Sequence, residues 1–97
     1  MLLPFYSANE TQQAFADYLR KKRKSKGFSR EQLANVSLVP ASTIKKFETT
    51  GQISFRQLLQ LWQILDDLTA LHELTKRSTE PMPKTIEQVL AMNKGKR

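Results

Sequence analysis

Residues 29–48 read SREQLANVSLVPASTIKKFE, and the fold depends on how this stretch divides. Ser29 fits a helix cap, and Gln32, three residues on, completes a capping box. The serine hydroxyl accepts from the N3 amide while the glutamine side chain reaches back to the cap amide. Phe28 precedes the cap and can staple onto Leu33. The helix begun here is short, ending near Val36 or Ser37. A second helix starts just after Val39-Pro40, because the first turn of a helix does not need the N–H that proline lacks. It runs through Ile44, Phe47 and Glu48, and Gly51 ends it. Leu33, Ala34, Ile44 and Phe47 take the inward positions, and the small Ala34 lets the two helices cross closely. Ala41, Ser42, Lys45 and Lys46 are left on the outward face of the second helix.

Upstream, a helix is expected to begin near Asn9 or Glu10, with Asn9 as cap and Glu10 favoured by the positive end of the dipole. Phe15, Tyr18, Leu19 and Lys22 follow at three-to-four spacing, and Gly27 ends that helix. Downstream, Ser54 caps a fourth helix carrying Phe55, Leu58, Leu59, Leu61, Trp62 and Leu65. Asp66-Asp67 breaks it, and a fifth helix holds Leu68, Leu71 and Leu74. Pro81 and Pro83 mark a linker, after which Thr85 caps a last short helix with Ile86, Val89 and Leu90. No clear run alternates as a strand would. The expected architecture is all-α: a compact five-helix bundle over residues 9–76, followed by a linker and a short helical or disordered tail over 77–97.

The chain has 97 residues, enough for one domain with one modest core. It carries a formal net charge of +7 with a pI near 10.0, which favours a polyanionic partner. Seven of its 16 basic residues fall between Arg20 and Arg30, so the charge is concentrated. Leu58–Leu71, the longest apolar-rich segment, is interrupted by Gln60, Gln63, Asp66 and Asp67 and is too short and polar for a bilayer. Met1 to Tyr6 does not read as a secretory signal, and a cytoplasmic location is expected. With no cysteine, a lone His72, no glycine-rich phosphate loop and no paired carboxylate in a cleft, neither a metal site, a cofactor nor an enzyme is expected. Trp62 reads as core, and the aromatics sit mainly at inward spacing rather than as stacking platforms for RNA.

The ordered set Leu19-Arg20-x-x-Arg23-x-x-x-Gly27-Phe28-Ser29, Gln32-Leu33-Ala34, Val39 and Thr43-Ile44-Lys45-Lys46-Phe47-Glu48 resembles the Xre and Cro/phage-repressor family of helix-turn-helix proteins. The resemblance covers roughly residues 13–75. Two positions depart from the family pattern: Leu38 stands where glycine is usual in the turn, and Pro40 where a serine or threonine caps the recognition helix. Leu38 implies an altered or strained turn.

The resemblance implies a lambda-repressor-like fold and a sequence-specific regulator that binds double-stranded operator DNA as a homodimer. Ala41, Ser42, Lys45 and Lys46 would face bases, with lysine bonding guanine O6 and N7 and Ala41 touching a thymine methyl. Ser29, Arg30, Thr43 and Arg56 would contact phosphates, and Arg23 with Glu48 would form a structural ion pair. Leu68, Leu71 and Leu74, or Ile86, Val89 and Leu90, would supply a dimer or partner surface. The small size and the tail are similar to HipB-type antitoxins, which implies a kinase-like toxin as a further partner. The competing reading is a helix-turn-helix-shaped interaction module that tethers a protein without reading DNA. Such a module would tend to be apolar or acidic over residues 41–46, where this chain is basic.

Overall fold

Ser7, not Asn9, starts the first helix. The computed structural model describes residues 5–77, and in it α1 spans Ala8–Ser25. Ser7 Oγ accepts from the Glu10 amide at 2.9 Å, and Glu10 Oε1 accepts from the Ser7 amide at 2.9 Å. The box satisfies two of the orphan donors at the helix start. At the other end Lys22, Arg23 and Lys24 sit where the dipole favours cations, and Gly27 takes the left-handed conformation just beyond the helix.

Four more helices follow: α2 (Arg30–Ser37), α3 (Ala41–Thr50), α4 (Phe55–Leu65) and α5 (Leu68–Leu74). Among the described residues there is no strand. None of the described helices is long and apolar enough to cross a membrane. Ser29 and Gln32 form the reciprocal box that starts α2. Ser54 Oγ accepts from the Gln57 amide at the start of α4, and Asp67 caps α5 by accepting from the Thr69 amide.

α1 packs on α3 and α4, and α2 packs on the same two helices; α5 rests on α4. The shared core is Ala16, Leu19, Leu33, Val39, Ile44, Phe47, Leu61, Trp62 and Leu65. Fully burying an aliphatic or phenyl side chain contributes about 1.5–3 kcal/mol. Val39 belongs to the link between α2 and α3 and is wholly buried, so the link itself is pinned to the core. Phe28 and Ala34 pack against this cluster from the partly buried layer.

Trp62 is a core residue with a polar handle. Phe15 meets it edge-on at 5.5 Å between centroids, Tyr18 stacks on it at 5.4 Å, and Trp62 Nε1 donates to the Asp67 carbonyl at 3.2 Å. Tyr18 is therefore a lid over Trp62 rather than a buried residue, as its 40% exposure records. Gly51, at φ 81°, is required twice over at the α3–α4 turn. A left-handed residue favours glycine, and a Cβ there would stand 3.2 Å from the Gln12 and Gln13 backbone. Gln12 Nε2 donates to the Gly51 carbonyl across the same contact.

Candidate nucleic-acid interface

The link from α2 to α3 is three residues long, Leu38 to Pro40. Leu38 adopts φ 66° and ψ 18°, the one non-glycine residue with positive φ among those described. Its amide donates to the Ala34 carbonyl at 2.9 Å, and its side chain is 79% exposed. The left-handed conformation costs roughly 1–2 kcal/mol for a residue with a Cβ. It is held because Val39, next in the chain, is anchored in the core and donates its amide to Ser37 Oγ at 3.2 Å. The altered turn expected from Leu38 thus takes the form of an ordinary left-handed cap occupied by leucine.

Pro40 gives α3 no side-chain cap; its carbonyl accepts from Thr43 and Ile44 at 3.0 Å each. The amides of Ala41 and Ser42 have no protein partner among the described residues. The sides of α3 then separate by burial. Ile44, Phe47 and Glu48 are buried, Ala41 and Thr43 are half-buried, and Ser42, Lys45 and Lys46 are exposed. Thr49 continues the exposed stripe, a residue the sequence reading passed over although it lies seven positions after Ser42. The hydroxyls of Thr49 and Thr50 donate back to the Lys45 and Lys46 carbonyls.

Thr43 and Lys46 border a shallow depression of about 400 Å³, together with Ser42, Gln52, Ile53 and Gln57. Gln52 and Gln57 were also missed from the sequence, and they bring two neutral amides beside the lysine. Gln57 stands three residues after the Ser54 cap, the offset that Gln32 has from Ser29, so its position was readable. Arg56 is exposed in the first turn of α4.

At the start of α2, Ser29 is engaged in its own helix. Its hydroxyl accepts from the Gln32 amide at 3.0 Å, and its amide donates to Gln32 Oε1 at 2.8 Å. Arg30, expected at a phosphate, is also tied to the protein. Its Nε donates to Glu48 Oε1 at 3.0 Å. Arg23 meets the same carboxylate side-on, Nε to Oε2 at 2.7 Å and Nη2 to Oε1 at 3.0 Å, and Nη1 donates to the Phe28 carbonyl at 2.9 Å. The Glu48 side chain is 4% exposed, that of Arg23 8% and that of Arg30 34%. Two guanidiniums thus converge on one buried carboxylate, tying α1, α2 and α3 together.

A second polar cluster stands at the α4–α5 corner. The Tyr18 hydroxyl donates to Asp66 Oδ2, and Lys22 lies 3.9 Å from the same carboxylate. The hydrogen bond raises the Tyr18 pKa and holds Asp66 below the ordinary carboxylate value. Asp67 is lowered by accepting from the Thr69 amide.

Leu68 and Leu71 are half-buried and Leu74 is exposed, so the expected stripe is partly core and partly surface. They line an apolar groove of about 390 Å³ with Phe55, Leu59, His72 and Thr75. Phe55, which the sequence reading put on the fourth helix without a role, is 74% exposed here. Ile86, Val89 and Leu90 lie outside the described residues. His72 is exposed, and no cluster of three metal-ligating side chains occurs among the described residues. No protein-family model, curated protein or solved structure matches the chain.

Proposed function

We propose that this protein is a sequence-specific, double-stranded DNA-binding transcriptional regulator of helix-turn-helix type, acting as a homodimer. The observation that carries the reading is the division of α3. One side is locked into the core through Ile44, Phe47 and Glu48, while Ser42, Lys45 and Lys46 are exposed on the other. A helix so anchored can enter the major groove as a rigid unit, with lysines placed for guanine O6 and N7. Free amides at Ala41 and Ser42, and the glutamines at 52 and 57, add uncharged groups around it. The excess of positive charge supplies the sequence-independent part of the affinity.

The groove between α4 and α5 is the surface we assign to the second subunit. Helix-turn-helix dimers meet half-sites about one helical turn apart, and two-fold pairing through this groove is the arrangement we propose for it. The antitoxin form of this reading adds a kinase-like toxin as partner, and co-purification with the product of the adjacent reading frame tests that part separately.

Titration of mixed-sequence duplex DNA at several salt concentrations, with sedimentation of the free protein, tests the core of the proposal. Affinity is expected to fall linearly with the logarithm of salt, and the protein to sediment as a dimer at micromolar concentration. Binding indifferent to salt, or none, contradicts it. The basic exposed side of α3 speaks against the interaction-module reading, which would put apolar or acidic residues there.

A further inference from the structure

The cluster at Glu48 holds more than a structural ion pair needs. Arg23 alone takes both carboxylate oxygens and neutralises the charge. Arg30 nevertheless adds a third contact, through Nε only. Among the described residues its two Nη nitrogens have no hydrogen-bond partner. Arg30 is also the first residue of α2, where its own amide and that of Glu31 remain unpartnered among the described residues. The inner edge of the guanidinium is fixed, and the outer edge is left to solvent at a helix start.

We propose that Glu48 is a positioning residue for Arg30, holding the guanidinium by Nε so that its Nη pair is presented, already oriented, to one DNA phosphate. The inference rests on the DNA-binding reading and deepens it. Glu48 lies on α3, among the residues that follow the exposed lysines, so one carboxylate sets the phosphate grip in register with the base-reading helix. Arginine suits this task and lysine does not. The guanidinium is a planar fork whose two edges can be used at once, whereas an ammonium is a single point that serves either the carboxylate or the phosphate. Arg23 makes the device compatible with DNA: with the carboxylate already neutralised, the second guanidinium leaves the cluster with a net positive charge.

The test compares Arg30→Lys, which keeps the charge, with Arg30→Gln, which removes it, in duplex titrations across salt concentrations. Positioning by Glu48 predicts that both variants bind about tenfold more weakly, with the salt slope reduced by roughly one unit in each. A freely reaching cation predicts that Arg30→Lys keeps the wild-type affinity and slope, and that result overturns the inference. Glu48→Gln, checked for folding by circular dichroism, adds a cycle: its effect on DNA affinity should largely vanish in the Arg30→Gln background, and equal effects in both backgrounds also overturn it. If Glu48→Gln fails to fold, the lysine and glutamine pair decides alone. Absence of salt-dependent binding by the wild-type protein is a different result, because it removes the DNA-binding reading itself.

Discussion

Two polar clusters link α1 to the rest of the molecule, and they differ in one respect above all. Arg23, Arg30 and Glu48 join α1, α2 and α3 around a carboxylate that is 4% exposed. Tyr18, Lys22 and Asp66 join α1 to the α4–α5 corner around a carboxylate that is 24% exposed. Each cluster sits at a junction between helices. The first is buried and takes three hydrogen bonds from two arginines. The second is wet, and its cation stands 3.9 Å away. Burial, rather than the number of partners, decides what each carboxylate is worth. A buried charge that loses its partner leaves an uncompensated ion inside the protein, whereas an exposed one is returned to water.

The largest expected effect follows at Glu48. Glu48→Ala strands the Arg23 guanidinium and should cost about 3–5 kcal/mol in urea unfolding. A loss below about 1 kcal/mol would place both clusters in the same class and break the comparison.

Asp66→Ala should cost far less than Glu48→Ala, because the Asp66 carboxylate is within reach of water. The exposed cluster should still leave a signature in pH. Asp66 is lowered in the folded state, so its contribution is present above the ordinary value of 3.8 and is lost as pH falls through the folded value. Tyr18 is raised, so its contribution is present below 10.0 and is lost as pH rises through the folded value. Melting followed across pH should show both losses in the wild type, and Tyr18→Phe should flatten them together. Unchanged pH profiles in that variant would mean that the hydroxyl and the carboxylate do not interact in solution.

The smallest effect is expected at Leu38. Glycine there removes a left-handed cost of roughly 1–2 kcal/mol and adds a backbone-entropy cost of about 0.5–1 kcal/mol. Leu38→Gly should therefore raise stability by roughly 0–1.5 kcal/mol. A clear destabilisation would show that the exposed leucine side chain packs on something.

Local signals were legible in the sequence and distant ones were not. The Ser29–Gln32 box, the Pro40 start of α3, the Gly51 stop and the aspartate break at residues 66–67 all depend on residues within a few positions of one another. The Ser7–Glu10 box is equally local, and it was overlooked because Asn9 offered a plausible cap inside it. The tie between Arg30 and Glu48 was not legible, because it spans 18 residues and exists only once α2 and α3 have packed. Val39 and Leu38 show the same limit from the other side. Nothing in the three-residue link says that one will be wholly buried and its neighbour mostly exposed. Gln52 and Gln57 join the depression beside α3 through the turn at Gly51, which folds the start of α4 back beside Ser42 and Lys46.

The most direct test of the account is selection from random duplex DNA, run in parallel with the wild-type protein and Lys46→Ala. The account predicts a palindromic site with half-sites about one helical turn apart, and relaxed preference at one position in each half-site when Lys46 is lost, costing about 1–3 kcal/mol there. No enriched sequence, or an enriched site whose preferences are the same in the variant, would contradict the assignment of α3 as the base-reading helix.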